Sequence, residues 1–269
     1  MHGISTRGGN PKLRPDGLGW ARFRGWSVLF EPRQHDGDRD AGSTPGSPEP
    51  DAPRSVPDRT LDSSSSPAGD RDFLALLERR AHETEARLRG AAPLLLPSRS
   101  YHVTVLDGLS DGLVKRIAPA DKPELERVLA ASAEARSPSE RLAGGCADEL
   151  RRLIEACSGG ICFAFAGLSA RGSALVAALE PEPASVERHA RIVDRRRDLL
   201  RCLSERWSVD LGSEWRPHVT LGYWRDRKTA TVGAERLGAS DRDAGPQRLC
   251  FERARVYGFR DMTTFLPSP

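Results

Sequence analysis

Two stretches of the chain, His102-Val103-Thr104-Val105 and His218-Val219-Thr220-Leu221, each set an imidazole and a hydroxyl two residues apart between apolar side chains. On a β-strand, side chains at i and i+2 share a face, so each histidine stands beside its threonine while the valines turn toward a core. Two such strands converging on one space would suit a phosphodiester. One imidazole can take a proton from the attacking oxygen and the other can give one to the leaving oxygen, because a pKa near 6.5 populates both forms around neutrality. The threonine hydroxyls can donate hydrogen bonds to the non-bridging oxygens as charge builds. This chemistry calls for no metal and no cofactor.

The residues around the second motif extend the candidate site. By strand alternation Arg216 shares the face of His218 and is the best candidate for a further phosphate contact. The same parity places Trp224 near the cleft mouth, where it could stack a base, and puts Gly222 on the catalytic face. It turns Tyr223 inward, at an odd offset from His218, and Tyr101 likewise. His82 and His189 fall on amphipathic helices beside charged neighbours and read as surface or boundary positions.

The pair of H-x-T motifs resembles the 2H phosphoesterase superfamily, whose members include RNA 2',3'-cyclic phosphodiesterases. The second motif strand, Trp215-Arg216-Pro217-His218-Val219-Thr220-Leu221-Gly222-Tyr223, is similar to the corresponding strand of that superfamily. The first, Ser100-Tyr101-His102-Val103-Thr104-Val105-Leu106-Asp107-Gly108, resembles a bacterial and fungal subgroup of unknown function, as do the opening from Lys12 to Phe30 and the closing Phe259-Arg260-Asp261-Met262. The resemblance implies a two-lobed α+β fold, pseudo-twofold and duplicated, with antiparallel sheets facing a central cleft and helices outside. It also implies His102 and His218 as catalytic residues, Thr104 and Thr220 as phosphate ligands, and a nucleotide or RNA end as substrate. Two other readings stay open: a non-catalytic module binding nucleotide or RNA in the same cleft, and a hydrolase of a small non-RNA phosphodiester. Which histidine is acid and which is base is also open.

The elements that must position these residues follow from periodicity. Residues 1–19 read as a flexible lead-in and 20–269 as one bilobal domain. Phe23 to Phe30 is an alternating strand. Residues 33–70 hold Pro, Ser, Gly and Asp with almost no large apolar side chains, which predicts a disordered insertion. Apolar residues three and four apart predict helices over 72–89, 121–135, 147–157 and 185–207, the last with Ile192, Leu199, Leu200, Leu203 and Trp207 on its inner side. Strands are predicted at 94–96, 100–107, 161–168, 173–179, 218–224 and 249–257, with 108–120 and 227–246 as loops and 262–266 as an apolar tail.

Composition bounds the rest. The 269 residues carry 41 Lys and Arg against 38 Asp and Glu, and the basic residues are 37 Arg and 4 Lys. Most of these arginines are expected on the solvated surface beside acidic neighbours. The five cysteines show neither C-x-x-C pairs nor metal-ligand spacing, which predicts free thiols in a reducing compartment. With no apolar leader and no apolar run of about 18 residues, the expectation is a cytoplasmic monomer, with no membrane and no obligate protein partner.

Overall fold

The computed structural model describes residues 9–32, 67–134, 142–212, 214–237 and 248–268. Its strands are β1 (Gly25–Pro32), β2 (Leu94–Leu95), β3 (Val103–Ser110), β4 (Ile161–Arg171), β5 (Ala174–Pro181), β6 (His218–Tyr223), β7 (Arg248–Asp261) and β8 (Thr264–Pro267). The helices are α1 (Pro67–Arg87), α2 (Lys122–Ala133), α3 (Ala147–Ala156), α4 (Val186–Trp207) and α5 (Arg227–Leu237). The molecule is α+β. Every described strand pairing is antiparallel.

The two facing sheets of the expected fold are one continuous sheet. Its strands run in the order β1-β3-β6-β5-β4-β7-β8, and β1 also pairs with β7, closing a six-stranded barrel. β1 is consequently hydrogen-bonded along both edges, and both of its faces are buried. Ser27 and Leu29 are buried along with Trp26, Val28 and Phe30, so the alternation read in this segment marks the apolar face and not a solvent boundary. Phe30 stacks on Phe251 with ring centroids 5.0 Å apart and tilts against Phe163 at 6.0 Å, which joins β1, β4 and β7 in one aromatic core.

The helices pack as their apolar stripes dictate. Phe73, Leu76, Leu77, Ala81, Thr84 and Leu88, the predicted inner face of the first helix, are all buried. Residues 67–70 begin α1; the rest of the predicted insertion, 33–66, lies outside the described residues. Two elements replace the loop and the tail that periodicity predicts. α5 occupies the first part of the 227–246 segment, started by Asp226, whose carboxylate accepts the Thr229 backbone N–H at 2.8 Å as an N-cap does. β8 returns along β7 from a turn in which Asp261 accepts from the backbone and hydroxyl of Thr263, both at 2.8 Å.

The free-thiol expectation is corrected. Disulfides join Cys146 to Cys202 and Cys162 to Cys250, and only Cys157 is free, buried at the end of α3. The second bridge spans directly opposed residues of β4 and β7. Their separations of 56 and 88 residues make such a framework invisible to local spacing. No described helix is long and apolar enough to cross a membrane.

Candidate active site

The motif strands lie side by side. β3 and β6 pair at a single position, Val103 opposite Val219. In an antiparallel pair that register sets His102 across from Thr220 and Thr104 across from His218. The two valines turn to the core with no exposure, and the four polar side chains share the other face. Beyond this contact β2 takes the edge of β6, with Leu95 opposite Gly222 and Leu94 opposite Tyr223. The two histidines and two threonines all line one cavity of about 470 Å³.

Each imidazole is held in the same way. His102 Nδ1 is 2.7 Å from the Ser100 carbonyl and His218 Nδ1 is 2.9 Å from the Arg216 carbonyl, in both cases the residue two before the histidine. A carbonyl only accepts, so Nδ1 carries the proton in both rings. That leaves each Nε2 to exchange a proton with a ligand. Phe265, delivered by β8, stands edge-on to His102 with centroids 4.5 Å apart.

Burial pushes the His102 pKa down to about 4, only partly countered by the Ser100 carbonyl and by Asp107. The His218 pKa is also lowered, by burial first and then by the Arg171 guanidinium, against the Arg216 carbonyl and Asp107. Arg171 Nη1 donates to the same Arg216 carbonyl at 2.6 Å and so comes within 3.1 Å of His218 Nδ1. With the ring proton committed to that carbonyl, the approach is one of two donors sharing an acceptor.

Strand parity fails immediately after each motif, and for one reason. Against β1, Val28 and Leu29 face Leu106 and Thr104, so Val105 is an extra residue in β3. Against β5, Leu175 and Val176 face Gly222 and Thr220, so Leu221 is an extra residue in β6. These are β-bulges three residues past each histidine, and a bulge shifts everything beyond it to the opposite face. Asp107 and Tyr223, five residues past their histidines, therefore join the cavity wall. Gly222 turns away from the ligand; a Cβ there would lie 2.6 Å from the Leu94 carbonyl, so its lack of a side chain admits β2.

Trp224 is the corresponding correction. It is fully buried, its indole N–H donates to the Ala91 carbonyl at 2.7 Å, and it does not line the cavity. Helix α5 covers it through Gly233, where a Cβ would fall 2.6 Å from the ring. Arg216 is at the rim and not between the histidines. Its side chain is 67% exposed and bonded to Glu214, with Nε to Oε1 at 2.6 Å. The arginine that lines the cavity beside His218 is Arg171, from the end of β4.

The described part of the predicted lead-in, residues 9–19, is anchored to the site. Asn10 donates to the Ser173 hydroxyl at 3.0 Å and the Trp224 carbonyl at 3.1 Å. Lys12 then enters the cavity and donates to the Tyr223 hydroxyl at 2.9 Å. Burial works against the ammonium, but Tyr223 and Asp107 outweigh it and hold the Lys12 pKa above its ordinary value. The site thus pairs two imidazoles and two hydroxyls with two cations, Lys12 and Arg171, and one carboxylate, Asp107. Among the described residues no three His, Cys, Asp or Glu side chains stand together as metal ligands.

The sequence reading missed Lys12, Arg171, Asp107 and Arg196. Arg196 alone left a legible signal: it continues the Ile192, Leu199, Leu203 stripe at helical spacing and is buried with it. Its Nε donates to the carbonyl of the bulged Val105 at 2.9 Å. Trp215 braces the same strand, its indole N–H donating to the Thr104 carbonyl at 2.9 Å while His189 stacks on its ring.

Neither a protein-family model nor a curated protein sequence matches the chain. Solved structures similar to it include a conserved protein of unknown function from Agrobacterium tumefaciens, at 14% identity and a TM-score of 0.45 over 95% of this chain and 88% of that one. E. coli LigT complexed with NADP+ is similar at 8% identity and a TM-score of 0.42, over 91% of this chain and 95% of LigT. A phosphoesterase is similar at 7% identity with the same TM-score, over 91% and 94%. At such distances likeness does not carry chemistry, which is read from the site.

Proposed function

We propose that the protein is a metal-independent phosphodiesterase acting on a 2',3'-cyclic phosphate or a related nucleotide or RNA-end diester, with His102 and His218 as general acid and base and no cofactor. The observation that carries this reading is the matched tethering of the two rings. Each gives its Nδ1 proton to the carbonyl two residues back, beside a threonine, in one cavity. A phosphorus seated between the free Nε2 atoms would have a proton acceptor on one side and a donor on the other. Thr104 and Thr220 would hold the non-bridging oxygens, and Lys12 and Arg171 would offset the charge that grows on them.

Neither ring is assigned a fixed part, since opening a cyclic phosphate and its reverse exchange the roles. Burial lowers the pKa of both imidazoles, which favours their neutral forms in the free protein at pH 7. The bound diester anion supplies what the acid needs: a negative charge between the rings favours protonating one of them.

The test is turnover in the presence of EDTA against 2',3'-cyclic nucleotides, a cyclic-phosphate-ended oligonucleotide, 3',5'-cyclic nucleotides and linear diesters. His102→Ala and His218→Ala are each expected to lose at least about 100-fold in rate. Tight binding of these ligands without turnover by the wild type would replace the enzyme with a binding module.

A further inference from the structure

Beside His218 the catalytic cavity adjoins a second depression of about 310 Å³, and the two share Thr104, Asp107, Arg171 and His218. The second is lined by Arg171 from β4, Arg196 from α4 and Arg216 from the segment before β6, set against Asp107 and Glu214. We infer that these three arginines form a subsite for a second phosphate of the substrate, so that the preferred substrate carries a phosphate besides the one between the histidines. This rests on the phosphodiesterase reading above and names the class of substrate that site takes.

The positions of the arginines support this. α4 carries Arg195, Arg197 and Arg201 on its outer face, paired with Asp194 and Asp198. Arg196 instead occupies the apolar stripe, where a leucine would pack without a desolvation cost. From there it reaches the strand that bears Thr104 and lines the depression. Arg171 and Arg216 are brought together although like charges repel. Burial and the Arg216 charge both lower the Arg171 pKa, and Glu214 offsets this only in part.

The lining of the depression brings three guanidinium groups together with two carboxylates. The planar donor fork of arginine matches phosphate oxygens in pairs. A single diester bears one negative charge, and Lys12 and the two threonines, with Arg171 on the wall shared by both cavities, already serve it in the first cavity. A second phosphate one sugar away, reached through the shared wall, accounts for the additional cations. Its sources would be a 5'-phosphate, the internucleotide diester of an RNA end, or a pyrophosphate linkage.

Binding is measured first, by titration calorimetry of adenosine 2'-phosphate and adenosine 2',5'-bisphosphate. Wild type is expected to prefer the bisphosphate by about tenfold or more, the scale of one charge-assisted contact. Arg216→Gln, at an exposed position that does not endanger folding, is expected to bring that ratio toward one, and Arg196→Met to do the same if it folds. No preference in the wild type, or an equal loss of affinity for both ligands in Arg216→Gln, overturns the subsite. Turnover is then compared among adenosine 2',3'-cyclic phosphate, its 5'-phosphorylated form, a dinucleotide ending in the cyclic phosphate, and a pyrophosphate-linked cyclic phosphate. The arm with the largest kcat/KM ratio over the first names the source. Absence of turnover in every arm with the bisphosphate preference intact would sink the phosphodiesterase reading and leave the subsite standing.

Discussion

The Lys12 ammonium donates a 2.9 Å hydrogen bond to the Tyr223 hydroxyl and lies 4.6 Å from the centre of the same ring. The contact spans 211 residues of sequence and ties the start of the described chain to the far end of the second motif strand. It fixes a flexible cation in the cavity that the two histidines line, with the phenol as its positioner. Lys12→Gln is expected to raise KM for an anionic diester by about tenfold, the cost of one charged hydrogen bond, with a smaller change in kcat. Tyr223→Phe keeps the ring and removes the acceptor, so a smaller rise in KM is expected. Steady-state kinetics of the two variants and the double variant measure the coupling, which should be less than additive.

Trp224 carries stability and not substrate contact. Trp224→Ala opens a core cavity beneath α5 and is expected to cost about 3–5 kcal/mol. Trp224→Phe strands the Ala91 carbonyl at a cost of about 1–2 kcal/mol. Denaturant unfolding reads both. The ranking of substrates by base should be the same in Trp224→Phe as in the wild type; a changed ranking would return this residue to the site.

The different fates of His218 and Trp224 show what local sequence can and cannot reveal. The motif residues lie within one unbroken stretch of strand, where a period of two governs, and the positions of His102, Thr104, His218 and Thr220 follow from it. Past Val105 and Leu221 the period breaks at bulges, which no residue type marks, so strand alternation turns Tyr223 away from the cavity it lines and gives no sign of Asp107. Arg171 and Lys12 reach the site by strand order and chain path, both long-range. α5 was hidden by its sparse apolar residues, although Asp226 followed by Thr229 was a readable cap. Closure of the sheet through β1 and β7 depends on pairings 230 or so residues apart, beyond any local pattern.

The two disulfides give a thiol count that can be checked directly. The unreduced, unfolded protein is expected to show one reactive thiol, Cys157, and five after reduction. Each bridge restrains a long loop in the unfolded chain, so its loss should cost about 2–4 kcal/mol. Cys162→Ala with Cys250→Ala removes the tie across the β4–β7 ladder and is expected to lower the melting temperature with little change in KM, because neither sulfur lines the cavity of the two histidines. Five free thiols in protein purified under oxidising conditions would overturn both pairings.

Both depressed imidazoles make a prediction about pH. The proposed acid-base mechanism needs one ring charged and one neutral, and the singly protonated pair is most populated between the two macroscopic pKa values. Each is displaced below the ordinary 6.5, His102 to about 4, so the kcat/KM optimum should fall on the acid side of 6.5. Rate is lost above it as the proton leaves the acid, and near pH 4 and below as the base is protonated. A bound diester anion raises both pKa values, so the kcat profile should sit at higher pH than the kcat/KM profile. Arg171→Met removes a cation from beside His218 and should move the kcat/KM profile upward as well. The same displacement has a stability counterpart: a ring at about 4 when folded and 6.5 when unfolded contributes fully above pH 6.5, and that contribution is lost as the pH falls toward 4. Replacing His102 with Asn should therefore flatten the decline in melting temperature across this window, and an optimum of kcat/KM at or above pH 7 in the wild type would contradict the pair of low values.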